Sequence, residues 1–174
     1  MTDQDMRSET HAAADDTVLP AGAIWSYCNS SAMRRAARHL GQLYDDAMGD
    51  TGLKGTQFSL LSQIKLSGEP TVKALATSMV MDISALGHTL KPLIRDGLVE
   101  LVPSTTDRRV KHVLLTAEGA AKQEELTQRW QVAQARFEAV FGEARAKELR
   151  GILDFIGSEE FGRAYRAGGT GDES

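Results

Sequence analysis

The stretch DGLVELVPSTTDRRVKHVLLTAEG, residues 96–119, decides the fold of this chain. Two short apolar runs, Leu98–Val102 and Val113–Leu115, flank a polar loop. The loop carries three charged residues: Asp107, Arg108 and Arg109. This pattern predicts a helix that ends with Gly97 in the left-handed conformation, a β-hairpin, and a new helix whose N-cap is Thr116. An arginine pair at a hairpin tip adds little to a core, but it suits a narrow, negatively charged groove such as that of DNA.

Helical periodicity dominates the sequence on both sides of this hairpin. Apolar residues recur at three- and four-residue steps, and they predict helices over Ile24–Met48, Gln57–Leu66, Val72–Ser78, Ile83–Asp96, 117–141 and Lys147–Ile156. Side chains that can cap a helix precede four of these segments: Thr56, Thr71, Asp82 and Thr116. Because two short helices joined by a tight turn precede the hairpin, we predict a mainly α fold with a small β-hairpin wing, a winged helix-turn-helix.

The distribution of composition predicts four regions. Residues 1–20 are polar and acidic and form a predicted disordered tail, and a second disordered tail is predicted over 166–174. The winged helix-turn-helix occupies 56–116. Residues 21–55 and 117–165 have wide apolar stripes without a partner in a compact winged domain. We expect these N- and C-terminal helices to form a dimerisation domain with a second copy, since symmetric dimers are the commonest oligomers.

The net charge of −4 on 174 residues does not exclude a nucleic-acid partner, because its distribution is uneven. The first twenty residues alone carry −4, from one arginine and five acidic residues: Arg7 against Asp3, Asp5, Glu9, Asp15 and Asp16. The segment 70–116 carries +2, from six cations against four carboxylates. The basic charge is therefore concentrated where the helix-turn-helix and its wing are predicted.

Several classes of protein are disfavoured by the sequence. Cys28 is the single cysteine, which rules out an internal disulfide and fits a reducing compartment. The absence of an 18-residue apolar run or an apolar signal core predicts a cytoplasmic protein without a membrane partner. The four histidines lack metal-ligand spacing: His11, His39, His88 and His112. No phosphate-binding loop or nucleophile motif is present, so we predict neither a cofactor nor an enzyme.

The segment 96–119 resembles the wing and the first turn of the dimer helix of the MarR family of bacterial transcription regulators. Supporting resemblance comes from AARHLGQLYD, GLKGTQFSLLSQI and TVKALATSMVMDISALGHTLKPLIRDGLV, so that it extends from Ile24 to Ile156. It implies a homodimer that binds a pseudo-palindromic operator in double-stranded DNA, usually as a repressor released by a small molecule. Gly87 and Pro92 depart from the family pattern inside the second helix of the motif, and Pro92 predicts a bend there.

The resemblance places Arg109 in the minor groove, where a guanidinium fits better than an ammonium. Asp107 would hold either this arginine or the loop through a charge-assisted hydrogen bond. Arg108 and Lys111 would then face phosphates. The alternative is a solvated, charged hairpin whose cations only protect a sheet edge from aggregation.

The predicted recognition helix, Ile83–Asp96, offers three side chains to base edges: Ser84, Ala85 and His88. Phosphate contacts are predicted for Thr89 and Lys91 and, at the start of the preceding helix, for Thr71 and Lys73. None of these side chains is a strong bidentate reader of guanine, so we expect modest base readout together with shape readout. For His88, an exposed position without a role is the alternative.

Two further sites are candidates. A small effector such as an aromatic acid would meet flat apolar surface and a cation, for which the candidates are Trp25, Tyr27, Arg38 and Tyr44. Alternatively, Trp25 and Tyr44 are core or interface aromatics. Cys28 is a redox candidate, because a thiol near a helix start and Arg34 is acidified. It lies about two residues from the position that the family's peroxide sensors imply, and a small packed residue is the alternative.

The function that we predict is therefore a DNA-binding transcription regulator, with a repressor released by an effector as the leading mechanism. One alternative is a winged-helix module that binds proteins and has no operator of its own. A second is a redox-responsive regulator that uses Cys28. Salt dependence separates the first alternative from the leading hypothesis, because each phosphate contact contributes a log–log slope of about −0.9 to DNA affinity.

Overall fold

The computed structural model describes residues 27–168, and these residues contain seven helices and one β-hairpin. In chain order the elements are α1 (Asn29–Met48), α2 (Gly55–Ser67), α3 (Val72–Ser78), α4 (Ile83–Arg95), β1 (Val99–Pro103), β2 (Lys111–Leu115), α5 (Ala117–Phe141), α6 (Glu143–Ile156) and α7 (Glu159–Ala167). The predicted fold class, mainly α with a small hairpin wing, is confirmed. The acidic tail predicted over 1–20 lies outside the described residues.

The described residues divide into two units, 27–38 and 39–168. In the described part of the first unit, Cys28 precedes α1, and its Sγ accepts a hydrogen bond from the backbone N–H of Ser31 at 3.4 Å. The prediction of one unbroken helix over Ile24–Met48 is therefore wrong at Cys28, since α1 begins at Asn29. A side chain that accepts from the first turn is typical of the position before a helix, not of its interior.

Three of the four predicted N-caps of the second unit are confirmed. The Thr71 hydroxyl accepts from the N–H of Ala74 at 3.1 Å, and the Asp82 carboxylate accepts from the N–H of Ala85 at 2.7 Å. The Thr116 hydroxyl caps α5 in the same way, by accepting from the N–H of Gly119 at 2.9 Å. Each bond satisfies one of the backbone donors that a helix start leaves without a partner.

The predicted N-cap at Thr56 is wrong, because α2 begins at Gly55, two residues before the predicted start at Gln57, and its N-cap position is Lys54. The N–H of Gly55 donates to the Asp45 carboxylate of α1 at 2.6 Å, and the N–H of Lys54 donates to the Gln57 side chain at 3.0 Å. The carboxylate of Asp45, ten residues earlier in the chain, thus accepts from the first turn of α2, a role that the local pattern attributed to Thr56. A local search for caps cannot find such a partner.

The C-terminal part is more helical than predicted. α6 begins at Glu143 instead of Lys147, and the further helix α7 was not predicted. The Ser158 hydroxyl caps α7 by accepting from the N–H of Phe161 at 3.1 Å, and acidic residues in its first turn complement the helix dipole. Because α7 reaches Ala167, the disordered tail predicted over 166–174 begins too early.

The core lies between the helix-turn-helix, the hairpin and the two long helices. Its buried residues include Met48 from α1, Ile64 from α2 and Leu126 from α5. The recognition helix and the hairpin contribute five more buried side chains: Leu86, Leu90, Leu93, Val99 and Val113. Arg129 of α5 also donates to the carbonyl of Met48, at 3.2 Å, so that α5 satisfies the end of α1.

The hairpin joins the fold through a close approach between its base and α5. β1 and β2 are antiparallel, with Val99 opposite Leu115. The Thr116 hydroxyl donates to the carbonyl of Gly97 at 2.6 Å, and the N–H of Thr116 donates to the carbonyl of Leu98 at 3.2 Å. Gly119 packs directly against this Leu98 carbonyl, where a Cβ would overlap the oxygen. The predicted left-handed conformation of Gly97 is confirmed, with φ of 73°.

We expect Gly119→Ala to lower the free energy of unfolding by about 2–3 kcal/mol, because the added methyl group forces α5 away from Leu98. Thermal denaturation followed by circular dichroism measures this loss. Gly151→Ala in α6 is the matched control, since a Cβ there meets nothing within 4 Å. This control should raise stability by about 0.5–1 kcal/mol through helix propensity. A Gly119→Ala protein as stable as the wild type would contradict the close approach.

Candidate nucleic-acid interface

The loop at the tip of the wing is held by its own backbone. The Asp107 carboxylate accepts from the N–H of Arg109 at 2.9 Å, and the Asp107 carbonyl accepts from the N–H of Val110 at 2.9 Å. The Val110 carbonyl in turn accepts from the N–H of Ser104 at 2.9 Å. Within the part of the chain that the structure describes, Asp107 therefore bonds to the loop backbone and not to the Arg109 guanidinium, which favours the second of the two alternatives predicted for this carboxylate.

The cations of the wing have no carboxylate partner among residues 27–168. Arg108, Arg109 and Lys111 are exposed, and none of them forms an ion pair or a side-chain hydrogen bond within residues 27–168. Their positive charge is not neutralised within the described residues. An ordered loop that presents such charges is suited to a polyanion.

A second connection fixes the wing to the helix-turn-helix. The N–H of Val113 donates to the carbonyl of Pro70 at 2.9 Å, and Thr71 forms a β-bridge with His112. The Nδ1 atom of His112 lies 2.8 Å from the carbonyl oxygen of Glu69. Sequence reasoning gave His112 no role, because its partner lies more than forty residues earlier in the chain. The bridge pairs Thr71 with the residue that follows Lys111. Two predicted phosphate contacts, Thr71 and Lys111, therefore belong to neighbouring segments.

The recognition helix α4 has one buried face and one exposed face. Leu86, Leu90 and Leu93 are buried in the core. The predicted contacts that are exposed on α3 and α4 are Lys73, Ser84, His88 and Lys91, whereas Thr71, Ala85 and Thr89 are half-buried. The Thr89 hydroxyl donates to the carbonyl of Ala85 at 3.2 Å within the helix. Exposure therefore favours Ser84, His88 and Lys91 as the part of α4 that a groove would meet.

Gly87 and Pro92, the two departures from the family pattern, leave α4 continuous from Ile83 to Arg95. A Cβ at Gly87 would meet nothing within 4 Å, so the packing of this chain does not require a glycine there.

The predicted effector residues fall into different environments. Trp25 lies outside the described residues, and Tyr27 and Arg38 are exposed in the first unit. In the second unit the Tyr44 hydroxyl donates to the Gln134 side chain at 2.9 Å. The Gln134 amide donates to Glu138 at 2.8 Å. Burial, together with the Glu138 charge, raises the pKa of Tyr44, so its hydroxyl stays protonated and engaged within the chain.

A cleft of about 400 Å³ lies between α2 and α5, and sequence reasoning missed it. Its lining combines apolar and polar side chains: Phe58, Ser59, Ser62, Gln63, Leu66, Gln123, Thr127 and Trp130. The Phe58 and Trp130 rings lie 6.4 Å apart, centre to centre. At its base the buried Gln123 donates to the Ser62 hydroxyl at 3.2 Å and accepts from Lys65 at 2.7 Å. Helices sixty residues apart build this cleft, so no local pattern reveals it.

The thiol of Cys28 is acidified by its immediate neighbours. Hydrogen bonding to the side chain and the backbone of Ser31 holds the pKa of Cys28 below its usual value, and Arg34 contributes a smaller effect. Arg34 itself donates to the hydroxyl of Ser30 at 3.0 Å. The prediction that Cys28 is acidified therefore agrees with the structure, but hydrogen bonding is the main cause.

Residues 27–168 contain neither a cluster of metal-binding side chains nor a helix that could span a membrane. No group of three or more carboxylate, imidazole or thiol side chains in this range could hold a metal ion. None of the helices in the same range is both long and apolar enough to cross a membrane.

Comparisons with known proteins agree with this geometry. A model of the MarR family matches residues 53–111, from just before α2 to the first residue of β2. The multiple antibiotic resistance protein MarR of Salmonella typhimurium is 32% identical over 88 residues, which cover 51% of this chain and 61% of that protein. The chain therefore spans less than two thirds of the length of this curated relative.

Solved structures extend the similarity to most of the chain. The transcriptional regulator MosR of M. tuberculosis, crystallised in complex with DNA, is 34% identical, with a TM-score of 0.70 over 80% of this chain and 98% of that one. The transcriptional repressor CouR, bound to a 23-mer DNA duplex, has a TM-score of 0.71 over 80% and 99% of the two chains, but at 21% identity it supports the fold alone. The chain belongs to the MarR family.

Proposed function

We propose that this protein is a transcription regulator that binds double-stranded DNA as a homodimer. The observation that carries the proposal is the wing, where a backbone-pinned loop presents Arg108, Arg109 and Lys111 without any carboxylate partner in the described residues. The exposed face of α4 belongs to the same winged helix-turn-helix. MosR, which is 34% identical, was crystallised in complex with DNA, and this supports the proposal.

Arg109 would bind the minor groove and α4 the major groove. A minor groove, most of all a narrow one in an A-tract, has an enhanced negative potential that attracts a guanidinium. The Arg109 side chain is free to enter it, because Asp107 holds the backbone of the loop instead. In the adjacent major groove, Ser84 and His88 would meet base edges while Lys91 contacts phosphate.

Exposed apolar side chains support a second copy as the partner of the long helices. Outside the winged domain, the large apolar residues that are exposed in the second unit include Leu43, Val132, Val140, Ile152, Leu153 and Phe155. Apolar surface of this kind on helices often marks a site of protein interaction. A symmetric dimer would bury them and would place two α4 helices about 34 Å apart, one DNA turn, on a pseudo-palindromic operator.

The cleft between α2 and α5 is the position that we propose for a small effector. One wall belongs to the winged domain and the other to the long helix, so a ligand there would bias their mutual arrangement and hence the spacing of the α4 helices. A repressor would then release its operator. The nearest cation, Lys65, is already engaged by Gln123 and Glu124. The lining therefore favours an uncharged aromatic compound over an aromatic acid.

Redox regulation through Cys28 is the second candidate, and the hydrogen bonding by Ser31 favours it. A lowered pKa raises the thiolate fraction at neutral pH, and thiolate is the form that peroxide oxidises. Oxidation at Cys28 would replace the effector as the trigger without changing how DNA is bound.

For Arg109→Ala we expect operator affinity at moderate salt to fall by about tenfold or more, because the groove loses a desolvated guanidinium. A gel-shift titration measures the affinity, and size-exclusion chromatography verifies that the variant keeps its dimeric mass. Arg163→Ala, an exposed arginine on α7, is the matched control and should leave affinity unchanged. If the wild type binds no duplex at low salt, the protein is a protein-binding module instead.

A ligand in the cleft should quench the fluorescence of Trp130. In a Trp25→Phe background Trp130 is the single tryptophan, so titration with phenols and with matched benzoates compares the two effector classes directly. We expect phenols to bind about tenfold more tightly, since a carboxylate would be buried without a partner. Ser59→Phe should fill the cleft and abolish quenching. Quenching by benzoates alone would contradict the proposed effector class.

The pH dependence of Cys28 alkylation tests its acidified thiol. Iodoacetamide reacts with thiolate, so the midpoint of the rate, followed by mass spectrometry, should lie below that of a free cysteine. Ser31→Ala should move the midpoint upward, because the side-chain hydrogen bond is the largest cause of the shift. Peroxide should release DNA from the wild type and not from Cys28→Ser. Release that persists in this variant would exclude the redox candidate.

A further inference from the structure

The turn between α3 and α4 holds a strained and exposed valine. Val80 has φ of 51°, in the left-handed region that a β-branched residue rarely adopts, and 76% of its surface is exposed. Two backbone hydrogen bonds fix the turn. The N–H of Val80 donates to the carbonyl of Thr77 at 3.1 Å, and the N–H of Met81 donates to the carbonyl of Ala76 at 2.9 Å. Met79 and Met81 pack against the core on either side of it. The chain therefore retains an aliphatic side chain where glycine or asparagine would avoid the strain.

Ile83, the first residue of α4, is a second aliphatic side chain outside the core, with 57% of its surface exposed. Val80 and Ile83 together form what we call the aliphatic corner. Between them, the Asp82 carboxylate is engaged in capping α4 through the N–H of Ala85 at 2.7 Å. The aliphatic corner thus offers branched hydrocarbon at the N-terminal end of the recognition helix.

We propose that the aliphatic corner reads the 5-methyl groups of thymines in the major groove, an inference that rests on the proposed DNA binding. The N-terminal residues of a recognition helix are those that contact base edges. On those edges the thymine methyl is the one apolar group, and aliphatic side chains are its usual partners. Ser84 and His88, which follow Ile83 within the first two turns of α4, are exposed as well.

Two neighbours favour a base edge over the DNA backbone at this position. The negative charge of Asp82 disfavours a phosphate beside it. At Gly87, one turn after Ile83, a Cβ would meet nothing within 4 Å, and the missing side chain leaves room for close backbone approach. A protein partner fits less well, because two exposed side chains fall far short of the area of a stable protein interface.

Thymine-to-deoxyuridine substitution tests the proposal, because it removes the methyl group and keeps the Watson–Crick edge. A duplex is first selected by the full-length protein from a random-sequence pool, and each thymine is then replaced in turn. We expect at least one replacement to weaken wild-type binding by about fourfold, measured by fluorescence anisotropy, as expected for one buried methyl group. Ile83→Ala should weaken binding to the thymine duplex by a similar factor and abolish the difference between the two duplexes.

Two further variants keep the test independent of folding. Ile94→Ala, an exposed aliphatic position at the opposite end of α4, should retain the full difference between thymine and deoxyuridine. Val80→Gly removes the strained side chain, so its melting temperature should not fall while its thymine preference decreases. Equal affinity of the wild type for all duplexes, or an undiminished preference in Ile83→Ala, overturns the inference and leaves DNA binding intact. If no duplex is enriched from the pool, DNA binding itself is wrong.

Discussion

The close approach of α5 to the base of the wing is the constraint on which the rest of the structure depends. Gly119 lies against the carbonyl of Leu98, and the Thr116 hydroxyl bridges to the carbonyl of Gly97 while accepting from Gly119. One glycine and one hydroxyl thereby fix the end of the recognition helix, the first strand and the long helix in one arrangement. Because packed cores are not continuously deformable, movement of α5 is transmitted to the wing and not absorbed between them.

A chain with net negative charge can present basic side chains on its wing because opposite charges are separated along the sequence. Among residues 27–168, the wing cations form no ion pair. Asp107 is the carboxylate closest in sequence to the wing arginines, and its oxygen is occupied by the backbone N–H of Arg109. The carboxylate therefore orders the loop without neutralising the guanidinium by an ion pair. The second anchor, between His112 and Glu69, holds the other strand of the hairpin to the start of α3. The loop is thus ordered while its arginines stay available to a ligand, a combination that a flexible basic loop would not provide.

Helix caps could be predicted from the sequence where both partners of the hydrogen bond lie close together in the chain. The caps at Thr71, Asp82 and Thr116 were found because the donor lies three residues from the acceptor. The cap at Thr56 was wrong because the partner of α2 is Asp45, on another helix. The cleft between α2 and α5 and the role of His112 were missed for the same reason. Tyr44 shows the converse, since its aromatic character suggested a ligand whereas its hydroxyl is engaged by Gln134 of α5.

The sequence by itself determined the class of fold and the family, and it predicted which residues would contact DNA. These features are properties of short segments: the apolar periodicity, the helix caps, the Asp-Arg-Arg loop and the left-handed glycine. Short-range steric contacts and hydrogen bonds are enough to determine them. Only the tertiary structure decided what each of these residues is free to do. It showed that Asp107 serves the loop, that Thr89 bonds within its helix, and that Val80 and Ile83 remain outside the core. The physical reason is that availability depends on every neighbour, and most neighbours here are brought together by packing between distant helices and strands.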